Sequence, residues 1–170
     1  MDETAKKLLD HAMAEDQKIK EELDVKSSSL EQQRDDFIDR FRDHRTNVLH
    51  PAMTEFAEYI KQSGWTAKIS VQNSGTESGV ARQVVKSKDA IQMNFGKGNW
   101  TASSQSPHLV ITCIPDEKRV SIWYATTGPN HGGSRGPAGS HSIEELDEAL
   151  VQQKLADFFV KLLKDSRPLG

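Results

Sequence analysis

The residues best placed to do chemistry crowd the stretch Gly128-Pro129-Asn130-His131-Gly132-Gly133-Ser134-Arg135-Gly136-Pro137-Ala138-Gly139. Glycine tolerates positive φ, so successive backbone N–H groups can converge on an anion, and Arg135, His131 and His141 would add positive charge. The spacing matches neither a phosphate-binding P-loop nor a dinucleotide fingerprint, and Phe95-Gly96-Lys97-Gly98 fails the same test. This stretch therefore reads mainly as a strand-to-helix connection, with Asn130, His131 and Arg135 as its candidate ligand-binding residues.

The other chemical groups are dispersed. His11, His44, His50, His108, His131 and His141 fall on different elements without the HxxxH or HxH spacing that brings two ligands to one metal. Asp39, Asp43 and His44 lie close together, but on a helix face rich in ion pairs. Ser140 and Ser142 flank His141, where helix capping explains them better than nucleophilic catalysis. Cys113 lies within Leu109-Val110-Ile111-Thr112-Cys113-Ile114, an apolar setting that disfavours a thiolate. Glu144-Glu145 suits the start of a helix. The sequence thus points to no catalytic residue, no metal site and no cofactor.

Bulk properties narrow the classes further. The 170 residues carry a net charge of −3 and are 35% hydrophobic, with mean hydropathy −0.65. No concentrated basic run is present, so nucleic-acid binding is disfavoured. No apolar run reaches the ~20 residues that span a bilayer, and the N-terminus is charged rather than signal-like, which makes the cytoplasm the expected compartment. A single cysteine precludes an internal disulfide.

Three kinds of element must position these groups. Ala5, Leu8, Leu9, Ala12, Ile19 and Leu23 recur at spacings of three, four and seven, which predicts a helix over 4–24 with a narrow apolar stripe that needs a partner. Ser28 and Glu31 have capping-box spacing, so a second helix is expected from near Ser29, carrying Leu30, Phe37, Ile38, Phe41, Val48 and Leu49. The charges from Arg34 to Arg45 alternate in sign like a solvated face. Pro51 predicts a bend near His50-Pro51, and Gly64 a stop. From Trp65 the period becomes two, predicting strands at 67–71, 80–86, 91–95, 109–114 and 120–124 with short turns between antiparallel neighbours. Ser142 and Glu145 form a further capping box before a helix whose apolar face is Ile143, Leu146, Leu150, Leu155, Phe158, Phe159 and Leu162.

The expected fold is therefore α+β: an N-terminal helical hairpin, a five-stranded, mostly antiparallel meander, and a C-terminal amphipathic helix packed on the sheet. The expected division is a helical arm over 1–64, the sheet and last helix over 65–165, and a tail over 166–170. Trp123 alternates with Ile122 and Tyr124 and so faces away from them, with packing under the N-terminal helices preferred over an open surface. The expected function is a non-catalytic interaction module (an adaptor, chaperone-like protein or regulatory subunit) that self-associates through its N-terminal helices, with a protein partner, a second copy of itself or both as its expected partners. Leu8, Ile19, Leu23, Phe37, Phe41 and Trp100 are its candidate interface. The alternative is a small-ligand-binding domain or enzyme using the sheet face, with Trp123, Asn130, His131 and Arg135.

Overall fold

A computed structural model of the chain describes residues 2–75, 88–98, 106–126 and 133–166, with the backbone alone at Ala5. The chain forms two units, Met1–Phe37 and Ile38–Gly170. The first consists of helix, the N-terminal part of α1 (Glu3–His44). The predicted break at Ser27-Ser28-Ser29 does not occur. The Ser28 hydroxyl donates to the Asp24 carbonyl at 2.9 Å and the Ser27 hydroxyl to the same oxygen at 3.3 Å, so the serines bond back along the helix instead of capping a new one. Intrahelical bonds from Gln17 to Glu21 and from Gln32 to Asp36 add local support.

In the second unit the last turns of α1 lead into a π-helical turn, Arg45–Leu49, and then into α2 (His50–Lys61). The two helices expected over 4–24 and from near Ser29 are thus one helix, α1, and the π-helical turn that joins it to α2 falls just before the bend expected at His50-Pro51. Proline has no N–H to offer the preceding turn, and the ladder widens there. The His50 N–H reaches the Arg45 carbonyl, five residues back. Pro51 itself sits at the start of α2, where its missing donor costs nothing. Gly64, at φ +75°, ends the helix and turns the chain into the sheet.

The sheet is a meander of five antiparallel strands in chain order: β1 (Trp65–Gln72), β2 (Ala90–Lys97), β3 (His108–Ile114), β4 (Arg119–Ala125) and β5 (Arg135–His141). The predicted strand over 80–86 lies outside the described residues. The fifth strand occupies the second half of the glycine-rich stretch, whose composition reads as loop. It is an edge strand, and Pro137 is tolerated there because an edge leaves one row of N–H groups unpaired. A bulge between Ile122 and Trp123 shifts the β4–β5 register, and Gly139 adopts φ +140°.

Helix α3 (Glu148–Asp165) completes the fold. The Ser142–Glu145 capping box forms, with the Ser142 N–H donating to Glu145 at 2.9 Å and the Glu145 N–H to the Ser142 hydroxyl at 3.4 Å, but it closes a turn ahead of the helix. The cap is Asp147, whose carboxylate accepts from the Leu150 N–H at 2.8 Å. Both α2 and α3 cover the same face of the sheet. Phe56 and Phe158 meet Phe95 at ring-centroid distances of 6.5 and 5.0 Å, and Phe159 meets Trp65 at 5.2 Å. Phe95, Phe158 and Trp65 form the buried core with Ile91, Met93, Leu109, Ile111, Cys113, Val120 and Ile122 from the strands and Met53, Val151, Leu155 and Leu162 from the helices, and Phe56 and Phe159 are half-buried beside them. Ile143 and Leu146 are buried as expected, whereas Leu150 is half-buried and Val151 is buried instead.

Candidate interaction surfaces

Where a strand alternates, its face is decided by register. Trp123 lies opposite the core-facing Ile122 and Tyr124, and both α2 and α3 occupy the core side. The expectation that helices cover Trp123 is therefore overturned: its side chain is 49% exposed on the outer face of the sheet. Cross-strand pairing builds two rows around it. One runs Ser70, Gln92, Val110, Trp123 and Pro137; the next runs Lys68, Asn94, His108, Ala125 and Arg135. Opposed residues have Cβ atoms roughly 5 Å apart, close enough for one flat ligand to span several.

The polar groups on this face are partly fixed. The Gln92 amide donates to the Asn94 side-chain oxygen at 2.8 Å. His108 Nδ1 lies 2.8 Å from the Ser106 carbonyl, which can only accept, so Nδ1 carries the proton and a neutral ring leaves Nε2 as an acceptor. Of the four ligand-binding candidates, Trp123 and Arg135 share this outer face, while Asn130 and His131 lie outside the described residues. Gln92, Asn94 and His108 went unnamed as candidates. The signal was alternation with Ile91, Met93 and Phe95 for Gln92 and Asn94, and with Leu109 for His108; Asn94 is buried and Gln92 and His108 are half-buried, so the exposed part of this face centres on Trp123 and Arg135.

A second cluster holds the helices to the sheet. The Asp89 side chain is 1% exposed and accepts from Arg42 Nε at 2.8 Å and from the Ser74 N–H at 3.1 Å, with Arg45 Nη1 at 3.8 Å. Arg45, also buried, donates to the Gln72 carbonyl at 2.9 Å, the Ala90 carbonyl at 3.3 Å and the Asn73 side-chain oxygen at 2.7 Å. Burial pushes the Asp89 carboxyl up, but the hydrogen bonds from Arg42 and Ser74 outweigh it and hold it below the usual carboxylate range. The solvated face predicted for this part of α1 thus fails at Arg45. Its position four residues after Phe41 and four before Leu49, on the apolar line, was the available signal. The bonds from Arg42 and Arg45 run to Asp89, Ser74, Gln72, Asn73 and Ala90, so the cluster fastens the π-helical turn to the ends of β1 and β2.

A third group closes the ends of the glycine-rich segment. The Asp165 carboxylate accepts from the Thr126 hydroxyl at 2.6 Å and from the Ser134 hydroxyl at 2.9 Å. These bonds, Thr126 first, hold Asp165 below the usual carboxylate range. Cys113 is buried, and desolvation with the nearby Asp89 charge pushes its thiol up to about 12, so it is no nucleophile. His141 packs its Nε2 into the core against Gly139. Among the described residues, no group of three or more His, Cys, Asp or Glu could hold a metal ion, and no helix is long and apolar enough to cross a membrane.

The remaining surface is α1 within Met1–Phe37. Leu8, Ile19 and Leu23, named as interface residues, are 68, 57 and 60% exposed, and Leu9, Met13 and Leu30 are exposed with them. Phe37 and Phe41 are buried within the single chain. Trp100 lies outside the described residues. On a helix with 100° per residue, Leu8, Ala12, Ile19, Leu23 and Leu30 fall on one stripe.

Comparison of the chain with protein-family models, with curated proteins and with solved structures gives no match.

Proposed function

We propose that the chain is a non-catalytic protein-interaction module that self-associates through α1. The observation that carries this reading is the exposed stripe from Leu8 to Leu30 on a helix whose other faces are charged. A lone helix in water gains little from its own hydrogen bonds beyond the cost of ordering its backbone, and most helical stability comes from packing an apolar face. Fully burying a leucine or isoleucine contributes about 1.5–3 kcal/mol, so a second copy offering the same stripe supplies what the single chain lacks. The test is co-expression of two differently tagged full-length chains. Each tag should recover the other, and Ile19→Asp with Leu23→Asp should abolish the exchange while leaving the fold of the second unit intact. Failure of the parent chains to co-purify would refute the reading.

A second reading has its own support in the half-exposed Trp123 beside Arg135 and His108. A small ligand with a flat face for the indole and an anionic group for Arg135 or Lys68 suits this surface. Under this reading, Trp123→Ala and Arg135→Ala abolish binding in a ligand screen without lowering the melting temperature. Hits whose affinity is the same for parent and variants would rule it out.

A further inference from the structure

The flanks of the α1 stripe carry more information than the stripe itself. Written as a heptad with Leu9 at position a, the helix places Leu9, Asp16, Leu23 and Leu30 at a, and Ala12, Ile19, Lys26 and Gln33 at d. Position g then holds Leu8, Glu15, Glu22 and Ser29, and position e holds Met13, Lys20, Ser27 and Arg34. One flank is acidic and the other basic. Each has a single apolar residue, and both of these, Leu8 and Met13, are 68% exposed.

In a parallel two-stranded coil, g of one helix faces the e position five residues on in its partner; in an antiparallel coil, g faces g and e faces e. Resting on the self-association proposed above, we infer that α1 pairs with a second copy of this chain as a parallel, in-register two-stranded coiled coil. In that arrangement Leu8 meets the partner's Met13, and Glu15 meets the partner's Lys20. Ser29 meets the partner's Arg34. The antiparallel arrangement sets the acidic flank against itself and the basic flank against itself. Parallel pairing thus accounts for both exposed off-seam apolar residues and opposes no like charges across the flanks.

Asp16 at a and Lys26 and Gln33 at d are the polar exceptions within the seam. Polar seam positions lower stability while fixing register and strand number, and each of these opposes its own copy only when the helices run parallel and in step.

The orientation is tested by disulfide trapping in full-length Ala12→Cys and, separately, Leu30→Cys. Cys113 is buried and does not compete. The two sites lie roughly 27 Å apart along the helix. A parallel in-register coil closes both homotypic disulfides under mild oxidation, whereas an antiparallel coil can close at most one. Closure of one or neither, in a chain that still sediments as a dimer, overturns the parallel arrangement and leaves self-association standing. A chain that is monomeric throughout overturns both. As a second arm, Glu15→Lys and Lys20→Glu should each weaken the dimer by about fivefold, as two flank pairs turn repulsive. The double variant, with the charges exchanged, should recover parental affinity. A double variant weaker than either single change contradicts the pairing of these two positions.

Discussion

Replacing Asp89 tests the account of the buried charge cluster most severely. In Asp89→Ala, Arg42 loses its main partner, but its side chain is 39% exposed and can turn to water. Arg45 cannot follow: its side chain is 8% exposed and keeps, among the described residues, the Gln72, Ala90 and Asn73 oxygens as acceptors. The Ser74 N–H also loses its acceptor. Removing one partner of a buried ion pair costs about 3–5 kcal/mol, and the freedom of Arg42 places the expected loss near the lower end, at about 3 kcal/mol. Asp89→Asn keeps the shape and one acceptor oxygen but loses the charge, for about 2 kcal/mol. Urea unfolding at pH 7 reads both values, at an expected slope of roughly 1–3 kcal/mol per molar. The pH dependence has a definite sign. The folded-state carboxyl is held below its unfolded value, so its contribution is complete above the unfolded value, near pH 4, and is lost as pH falls through the lower folded value. The gap between the parent and Asp89→Asn should be constant from pH 8 to 5 and close below pH 4. A loss under about 1 kcal/mol for Asp89→Ala, or a gap unchanged down to pH 3, would refute the reasoning.

Three further outcomes follow from the same packing. Gly139→Ala should destabilise by about 2 kcal/mol or more in thermal or urea unfolding, because φ is +140° and a Cβ would stand 2.6 Å from the His141 ring nitrogen. Parental stability in that variant would show that the bulge relaxes freely. Phe158→Ala should cost about 3–5 kcal/mol, since its ring joins α3 to Phe95 and Tyr124, whereas Trp123→Ala on the outer face should cost less than 1 kcal/mol; equal effects would place the core on the wrong face. Cys113 should react with thiol reagents only through opening of the sheet, so its labelling rate should rise with urea, and rapid labelling of the native protein would contradict its burial and raised thiol.

Much of this architecture was legible in the chain because local chemistry and tertiary packing agree. The alternation of Ile91, Met93 and Phe95, and of Val120 and Ile122, fixes both strands and their buried side. The stripe Leu155, Phe158 and Leu162 finds the sheet that it needs. Errors arose where a local signal has two physical outlets. Ser28 followed by Glu31 can cap a helix, or Ser28 can bond back to Asp24 within one; composition does not decide. Glycine and proline marked 128–139 as loop, yet an edge strand with a bulge accepts both, and that depends on β4 lying beside it. Arg45 looked solvated among alternating charges, because its acceptors come from Gln72, Asn73 and Ala90, distant in sequence. The exposure of Trp123 and the burial of Asn94 on the outer face of the sheet were not legible, because period-two alternation cannot tell solvent from a polar cover.

The central claim is that α1 carries a self-association surface, and sedimentation equilibrium of the full chain over a wide concentration range tests it most directly. The expected result is a mass rising with concentration from 19.0 kDa to twice that value, with Ile19→Asp and Leu23→Asp each shifting the curve toward monomer. A mass of 19.0 kDa at every concentration, unchanged by either substitution, would contradict it.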